Sequence, residues 1–183
     1  MTNIAPSVSS PVQPGLVRFG SESPGVVVRP AELADRSQRA GLRLEQLGSI
    51  RRGLRRANTD FCNAFEEFLL SCLRSEDWLV FVAEVEGTLV GCVYLQKIEK
   101  LPLPDLPKRE FGMISSIFVQ TKFHGRGIRR KLLRKIVGVA WAAGMETLVA
   151  TSGADYHALF GSLGFRQVAL EMRLDRIENR KEL

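Results

Sequence analysis

This sequence offers little to metal-binding or disulfide chemistry. Its 183 residues include three cysteines, Cys62, Cys72 and Cys92, and two histidines, His124 and His157. The cysteines keep no metal-ligand spacing, and an odd, sparse set argues against a disulfide framework and fits a reducing cytosol. The histidines are too few and too far apart for a metal centre, so no metal is expected. No apolar run approaches the length of a membrane span, so no membrane partner is expected. Residues 1–24 lack the basic start and apolar stretch of a signal peptide, and a cytoplasmic protein is the expectation. A Walker phosphate loop, Gly-x-x-x-x-Gly-Lys-Ser/Thr, is missing, and no internal repeat is visible.

What is present is a sizeable core. Hydrophobic residues make up 45% of the chain, which excludes a disordered protein. The net charge is +6, and the 26 basic residues divide into 19 arginines and 7 lysines. Arginine forks bind phosphate and carboxylate in a bidentate way, so the excess is compatible with a phosphorylated ligand or with nucleic acid. The length fits one domain, residues 25–175, between a leader (1–24) and a charged tail (176–183).

The pattern along the chain predicts an α/β domain. Residues 26–30 are a β-branched run stopped by Pro30, a first strand. Residues 31–47 carry a loose helical period ending at Gly48. A basic stretch follows, with Arg51, Arg52, Arg55 and Arg56, and then a helix over 60–74 with Phe61, Phe65, Phe68, Leu69 and Cys72 on one apolar face. Two β-rich runs, 78–85 and 88–98, are joined by Glu86-Gly87, a hairpin signal. A proline-rich loop at 101–107 precedes a fourth strand at 111–120. The period then becomes helical, with Ile128, Leu132, Leu133, Ile136, Val139 and Ala140 on one side and Arg129, Arg130, Lys131, Arg134 and Lys135 on the other, up to Gly144. A strand at 148–151, a short helix at 156–163 and a last strand at 165–174 complete one mixed, mostly antiparallel sheet flanked by helices.

The densest chemistry is the turn from His124 to Arg130. There a strand feeds a loop with two glycines, and the loop opens a helix. Helix N-termini leave unpaired N–H groups and a partial positive charge, and glycines let a ligand approach closely. Such a turn receives a phosphate or diphosphate. A dinucleotide fingerprint fits worse, because Arg130 stands where a third glycine belongs and the turn follows an antiparallel hairpin.

The turn resembles the coenzyme A motif of the GNAT superfamily, the GCN5-related N-acetyltransferases, whose pattern Gln/Arg-x-x-Gly-x-Gly/Ala maps to His124-Gly125-Arg126-Gly127-Ile128-Arg129. A second family motif, Tyr-x-x-x-Gly-Phe, is similar to the stretch from Phe160 to Gly164-Phe165, and the hairpin through Leu89 to Leu95 looks like the family's second and third strands. The resemblance covers about residues 26–174. It implies that backbone groups of Ile117, Phe118 and Val119 pair with the pantetheine arm of acetyl-CoA or another acyl-CoA. It also implies that the diphosphate lies on the N–H groups of Gly125, Arg126, Gly127, Ile128, Arg129 and Arg130, with His124 and Phe160 as further donor contacts. The reaction implied is direct attack of an amine on the thioester.

Three positions depart from the pattern: His124 in place of Arg or Gln, Arg129 in place of Gly or Ala, and Phe160 where many relatives have a proton-donating tyrosine. Tyr156, one helical turn earlier, is the candidate general acid, against the plainer reading that it packs or faces solvent. For a general base the sequence offers Glu110, Glu84 and His157, each with a plainer reading as a surface residue, and a water chain is the alternative. The Arg51–Arg56 stretch and the proline loop border the acceptor side by resemblance.

The expected function is an N-acetyltransferase acting on the amine of a small molecule. The alternatives are an acyltransferase that uses a longer acyl-CoA or an acyl-carrier protein thioester, or a non-catalytic coenzyme A-binding module. Nucleic-acid binding ranks last, because basic and aromatic residues are not interleaved. A homodimer is left open.

Overall fold

The computed structural model describes residues 25–50, 59–105, 109–150 and 156–168. The expected leader, the Arg51–Arg56 stretch and the charged tail lie outside them. Five strands form one sheet in sequence order: β1 (Val26–Pro30), β2 (Trp78–Val85), β3 (Thr88–Glu99), β4 (Glu110–Val119) and β5 (Thr147–Ala150). The pairings from β1 to β4 are antiparallel and β4–β5 is parallel. The helices are α1 (Arg36–Ile50), α2 (Thr59–Arg74), α3 (Ile128–Ala142) and α4 (His157–Gly161).

The β2–β3 hairpin closes as its turn residues demand. Glu86 and Gly87 both have positive φ, 49° and 75°, the conformation of a two-residue turn that matches the twist of the flanking strands. On one face of the sheet, α3 buries Ile128, Leu132, Leu133, Ile136 and Ala140 against Val90, Val93, Leu95, Ile114, Ile117 and Val119. These helix positions keep the 3.6-residue period, and burying each large side chain contributes about 1.5–3 kcal/mol. On the other face, α1 and α2 cover Val80, Val82, Cys92, Tyr94 and Phe118 with Leu42, Leu69 and Cys72.

Several boundaries differ from the sequence reading. A 3-10 turn at Leu33–Asp35 opens the first helical region, and α1 runs through Gly48 to Ile50. An internal glycine weakens a helix by only about 1 kcal/mol, which tertiary packing overrides. The phenylalanine stripe of α2 is only partly buried: Phe65 packs against the core, and Phe68 is exposed. Leu69 and Cys72 are buried, whereas Phe68 is 40% exposed; Phe61, Phe65 and Phe68 stack in a row at centroid distances of 5.8 and 6.2 Å, and Trp78 meets Phe68 edge-on at 5.5 Å. Phe165–Val168 are not strand; the rest of the expected last strand lies outside the described residues.

Two irregularities shape β4. Opposite β3, Tyr94 pairs with Ser116 and Leu95 with Ile114, so Ser115 is an extra residue, a β-bulge that bends the strand. The bulge keeps Ile114 and Ile117 on the α3 face although they are three residues apart. Beside it, β5 pairs only from Phe111↔Thr147 to Ile114↔Ala150. Past Ile114, the edge of β4 from Ser115 to Val119 has no strand on that side among the described residues.

Gly91 lets β3 approach this end of β4. A Cβ there would lie 2.7 Å from the Phe118 carbonyl oxygen and 2.8 Å from Val119 Cγ2. Gly91→Ala is therefore expected to lower stability by about 1–3 kcal/mol; an unchanged urea midpoint would show that the strands yield without cost.

At the sheet's other edge Arg29 holds two carboxylates, Asp35 at 2.8 and 2.9 Å through both Nη atoms and Glu84 at 2.8 Å through Nε. The Glu32 N–H also donates to Asp35, at 2.7 Å. The Arg29 hydrogen bonds are the main cause that holds the Asp35 carboxyl below its ordinary value. A depressed carboxyl contributes stability that is present above its unfolded pKa, near 3.9, and lost as pH falls through the folded value. Asp35→Asn should thus cost about 1.5–3 kcal/mol at pH 7, and the difference from the wild type should shrink as pH drops below about 4. Unfolding curves at several pH values read this directly, and a pH-independent gap would refute it.

Candidate active site

The loop between β4 and α3 begins with a 3-10 turn at Thr121–Phe123. Its two glycines are both left-handed, Gly125 at φ 75° and Gly127 at φ 72°. Gly127 is the N-cap of α3, and no side chain caps the helix there. The first N–H groups of α3 therefore have neither an intrahelical nor a side-chain partner. A Cβ on Gly125 would meet nothing within 4 Å, so the loop is open on its outer side. Ile128 is buried and anchors the first turn in the core, while the Lys131 ammonium donates to the Val26 carbonyl at 2.7 Å and ties α3 to β1.

Charge at this turn runs against intrinsic helix preference. No acidic residue occupies the first turn of α3; Arg129, Arg130 and Lys131 stand there instead. Cations at the positive end of the helix dipole are unfavourable by about 0.3–1 kcal/mol each. Further along, burial and then the Arg130 charge hold the Arg134 guanidinium below its ordinary value. Around the loop, the cations rest on aromatic rings: Lys122 and Arg126 lie 5.2 and 5.1 Å from the Phe123 centroid, and Arg129 lies 5.2 Å from that of Tyr156. The Arg129 Nε is buried with no hydrogen-bond partner among the described residues. Open N–H groups, a cationic helix start and an orphaned guanidinium nitrogen fit a diphosphate, the group that coenzyme A would bring.

The free edge of β4 is not bare. Tyr156 Oη donates to the Ile117 carbonyl at 3.4 Å. His124 Nε2 lies 2.7 Å from the Val119 carbonyl and also 2.7 Å from Arg129 Nη2. Of the residues expected to touch an acyl donor, the structure thus brings together Ile117, Val119, His124, Gly125, Gly127, Arg129 and Tyr156. Arg126 and Arg130 stand beside them, Arg126 exposed and Arg130 exposed on the first turn of α3. The Ile117 and Val119 side chains are buried on the α3 face and that of Phe118 on the opposite face, so these three offer only backbone groups. Phe160 is buried, 5.0 Å edge-on from Phe165 and 6.4 Å from Tyr156. It supports the Tyr156 ring and brings no polar atom.

Of the candidate bases, Glu84 is committed to Arg29 and Glu110 stands at the far end of β4 opposite Glu99, while His157 is exposed on α4, next to Tyr156. Among the described residues no group of three or more His, Cys, Asp or Glu is placed to hold a metal ion, and no helix is long and apolar enough to cross a membrane.

A polar seam on the α1 face of β4 was not anticipated from the sequence. Gln46 of α1 exchanges hydrogen bonds with Ser116 at 3.2 and 3.3 Å, and Arg43 donates to Gln46 at 2.6 Å. Behind it Arg39 is fully buried. Its Nε and Nη2 donate to the Tyr94 hydroxyl at 3.3 and 3.2 Å, and its Nη1 has no partner among the described residues. The Ser115-Ser116 pair inside an apolar strand was the available signal.

The chain is 31% identical over 91 residues to the N-alpha-acetyltransferase RimI of Mycobacterium tuberculosis (strain ATCC 25618 / H37Rv), a match that covers 50% of this chain and 54% of that protein; the chain thus spans about half the length of this curated relative. Its fold is shared with a "predicted acetyltransferase" of Clostridium acetobutylicum crystallised with acetyl-CoA (TM-score 0.69, 18% identity, 82% of this chain and 96% of that one). It is also shared with glucosamine-6-phosphate N-acetyltransferase of Arabidopsis thaliana (TM-score 0.66, 14% identity, 84% and 99%). The model of the Acetyltransferase (GNAT) family matches residues 48–165, more than half of the sequence, and the chain belongs to that family.

Proposed function

We propose that this protein is an N-acetyltransferase that takes acetyl-CoA as donor and acetylates the amine of a small molecule. The observation that carries the reading is the open, cationic N-terminus of α3 lying beside the stretch of β4 that has no strand on one side among the described residues. The turn from His124 to Arg130 would hold the diphosphate, and backbone groups at Ile117 to Val119 would orient the pantetheine arm. The amine nitrogen attacks the thioester carbonyl carbon, the C–S bond breaks, and the amine loses its proton to water. A β4 N–H steadies the developing oxyanion.

Tyr156 is the side chain that supports the proton-donor role. Its hydroxyl reaches the β4 edge at Ile117, where the thiolate of a donor laid along that edge would leave. Phe160 cannot take this part, being buried and apolar. The match to RimI, named an N-alpha-acetyltransferase, favours a second reading in which the acceptor is the α-amine of a polypeptide.

Thiol release from acetyl-CoA, followed over a panel of small amines and short peptides, tests the activity and separates the two acceptors; no release with any amine or peptide would rule out both. Tyr156→Phe is expected to lower kcat by about 10- to 100-fold, the low end of general acid catalysis because a thiolate also leaves unaided. A variant as fast as the wild type would remove Tyr156 from the chemistry.

A further inference from the structure

His124 is asked to do two incompatible things. One ring nitrogen, Nε2, lies 2.7 Å from the Val119 carbonyl oxygen and 2.7 Å from Arg129 Nη2. A carbonyl oxygen only accepts and a guanidinium only donates, whereas a ring nitrogen carries either a proton or a lone pair. With the proton on Nε2, the imidazole bonds Val119 and opposes the Arg129 N–H. With the lone pair there, it bonds Arg129 and opposes the carbonyl. One of the two interactions must give.

The same guanidinium is under-used elsewhere. Its Nε has no partner among the described residues, and its plane lies over Tyr156, whose hydroxyl covers the Ile117 carbonyl at 3.4 Å. His124, Arg129 and Tyr156 thus form one connected unit over the two β4 carbonyls that a pantetheine arm would need. Arg129 is its movable part, because charge-assisted bonds to phosphate are stronger than a bond to a neutral ring.

Building on the donor-site reading above, we propose that His124, Arg129 and Tyr156 are a specificity latch on the β4 edge, released by a diphosphate. While Arg129 holds it, Nε2 carries the lone pair and the ring lies over the Val119 carbonyl without bonding it; a diphosphate at the α3 N-terminus draws Arg129 off, the ring and the Tyr156 hydroxyl lose their anchor, and the amides of the arm displace them from the two carbonyls. The latch selects donors by what lies beyond the pantetheine. Acyl-CoA carries a diphosphate there. An acyl thioester on the phosphopantetheine of a carrier protein carries a single phosphodiester, and free acyl-pantetheine carries none, so both meet a closed edge.

Calorimetric titration with coenzyme A, with pantetheine, and with pantetheine in the presence of inorganic pyrophosphate tests this on the full chain. Expected is weak pantetheine binding by the wild type, strengthened about tenfold by pyrophosphate and about tenfold by Arg129→Ala, equivalent to about 1.4 kcal/mol. In Arg129→Ala the pyrophosphate effect should vanish. His124→Ala, which uncovers the Val119 carbonyl, should likewise bind pantetheine more tightly than the wild type. The chain has only two histidines, so imidazole NMR adds a readout independent of affinity: pyrophosphate should shift His124 and leave His157 in place. If coenzyme A binds but neither variant gains affinity for pantetheine, the latch is overturned and the donor reading stands. If the wild type binds no coenzyme A, the donor reading falls and the latch with it.

Discussion

From Ser115 to Val119, β4 has β3 on one side and, among the described residues, no strand on the other, and the rest of the site follows from that. The bulge at Ser115 bends β4 where this stretch begins. Backbone groups left without a strand need other partners, since a buried unsatisfied group costs about 1–3 kcal/mol. The Tyr156 hydroxyl supplies one, to the Ile117 carbonyl, and the His124 ring lies against the Val119 carbonyl. A ligand that lays amides along this edge replaces bonds the protein already makes to itself. Affinity there is an exchange, not a simple gain.

The turn before α3 shows the same tension in electrostatic form. Ile128 fixes the start of the helix in the core and Lys131 ties it to β1, so the N-terminus cannot retreat from its own cations. The folded chain carries this unfavourable charge in the absence of a ligand, and an anion relieves it. Rigid anchoring and stored repulsion together leave the turn with positive charge that the fold itself does not neutralise.

Much of this was legible in the sequence, where the physics is local. The Glu-Gly turn announced the hairpin, the change from a two-residue to a 3.6-residue period marked the passage into α3, and two glycines marked the left-handed turn at its start. What depends on distant partners was not legible. Ser115 reads as an ordinary strand residue until β3 is laid beside it. Gly91 reads as a weak point in a strand until Phe118 and Val119 arrive against it. The stripe Phe61, Phe65, Phe68 has the spacing of a core face, yet the rings satisfy one another and Trp78 at the rim, and the interior is given to Leu69 and Cys72. His124 and Arg129 were visible as departures from a motif, but their engagement with each other and with Val119 needed three dimensions.

Arg39 has a consequence for how the molecule breathes. A wholly enclosed guanidinium with one nitrogen unbonded among the described residues forgoes hydration that it would regain the moment α1 lifts from the sheet. That regained hydration offsets part of the apolar burial given up on lifting. Beneath α1 lies Cys92, its thiol pushed up to about 11 by burial. The helix that encloses a charge thus also keeps a thiol dry.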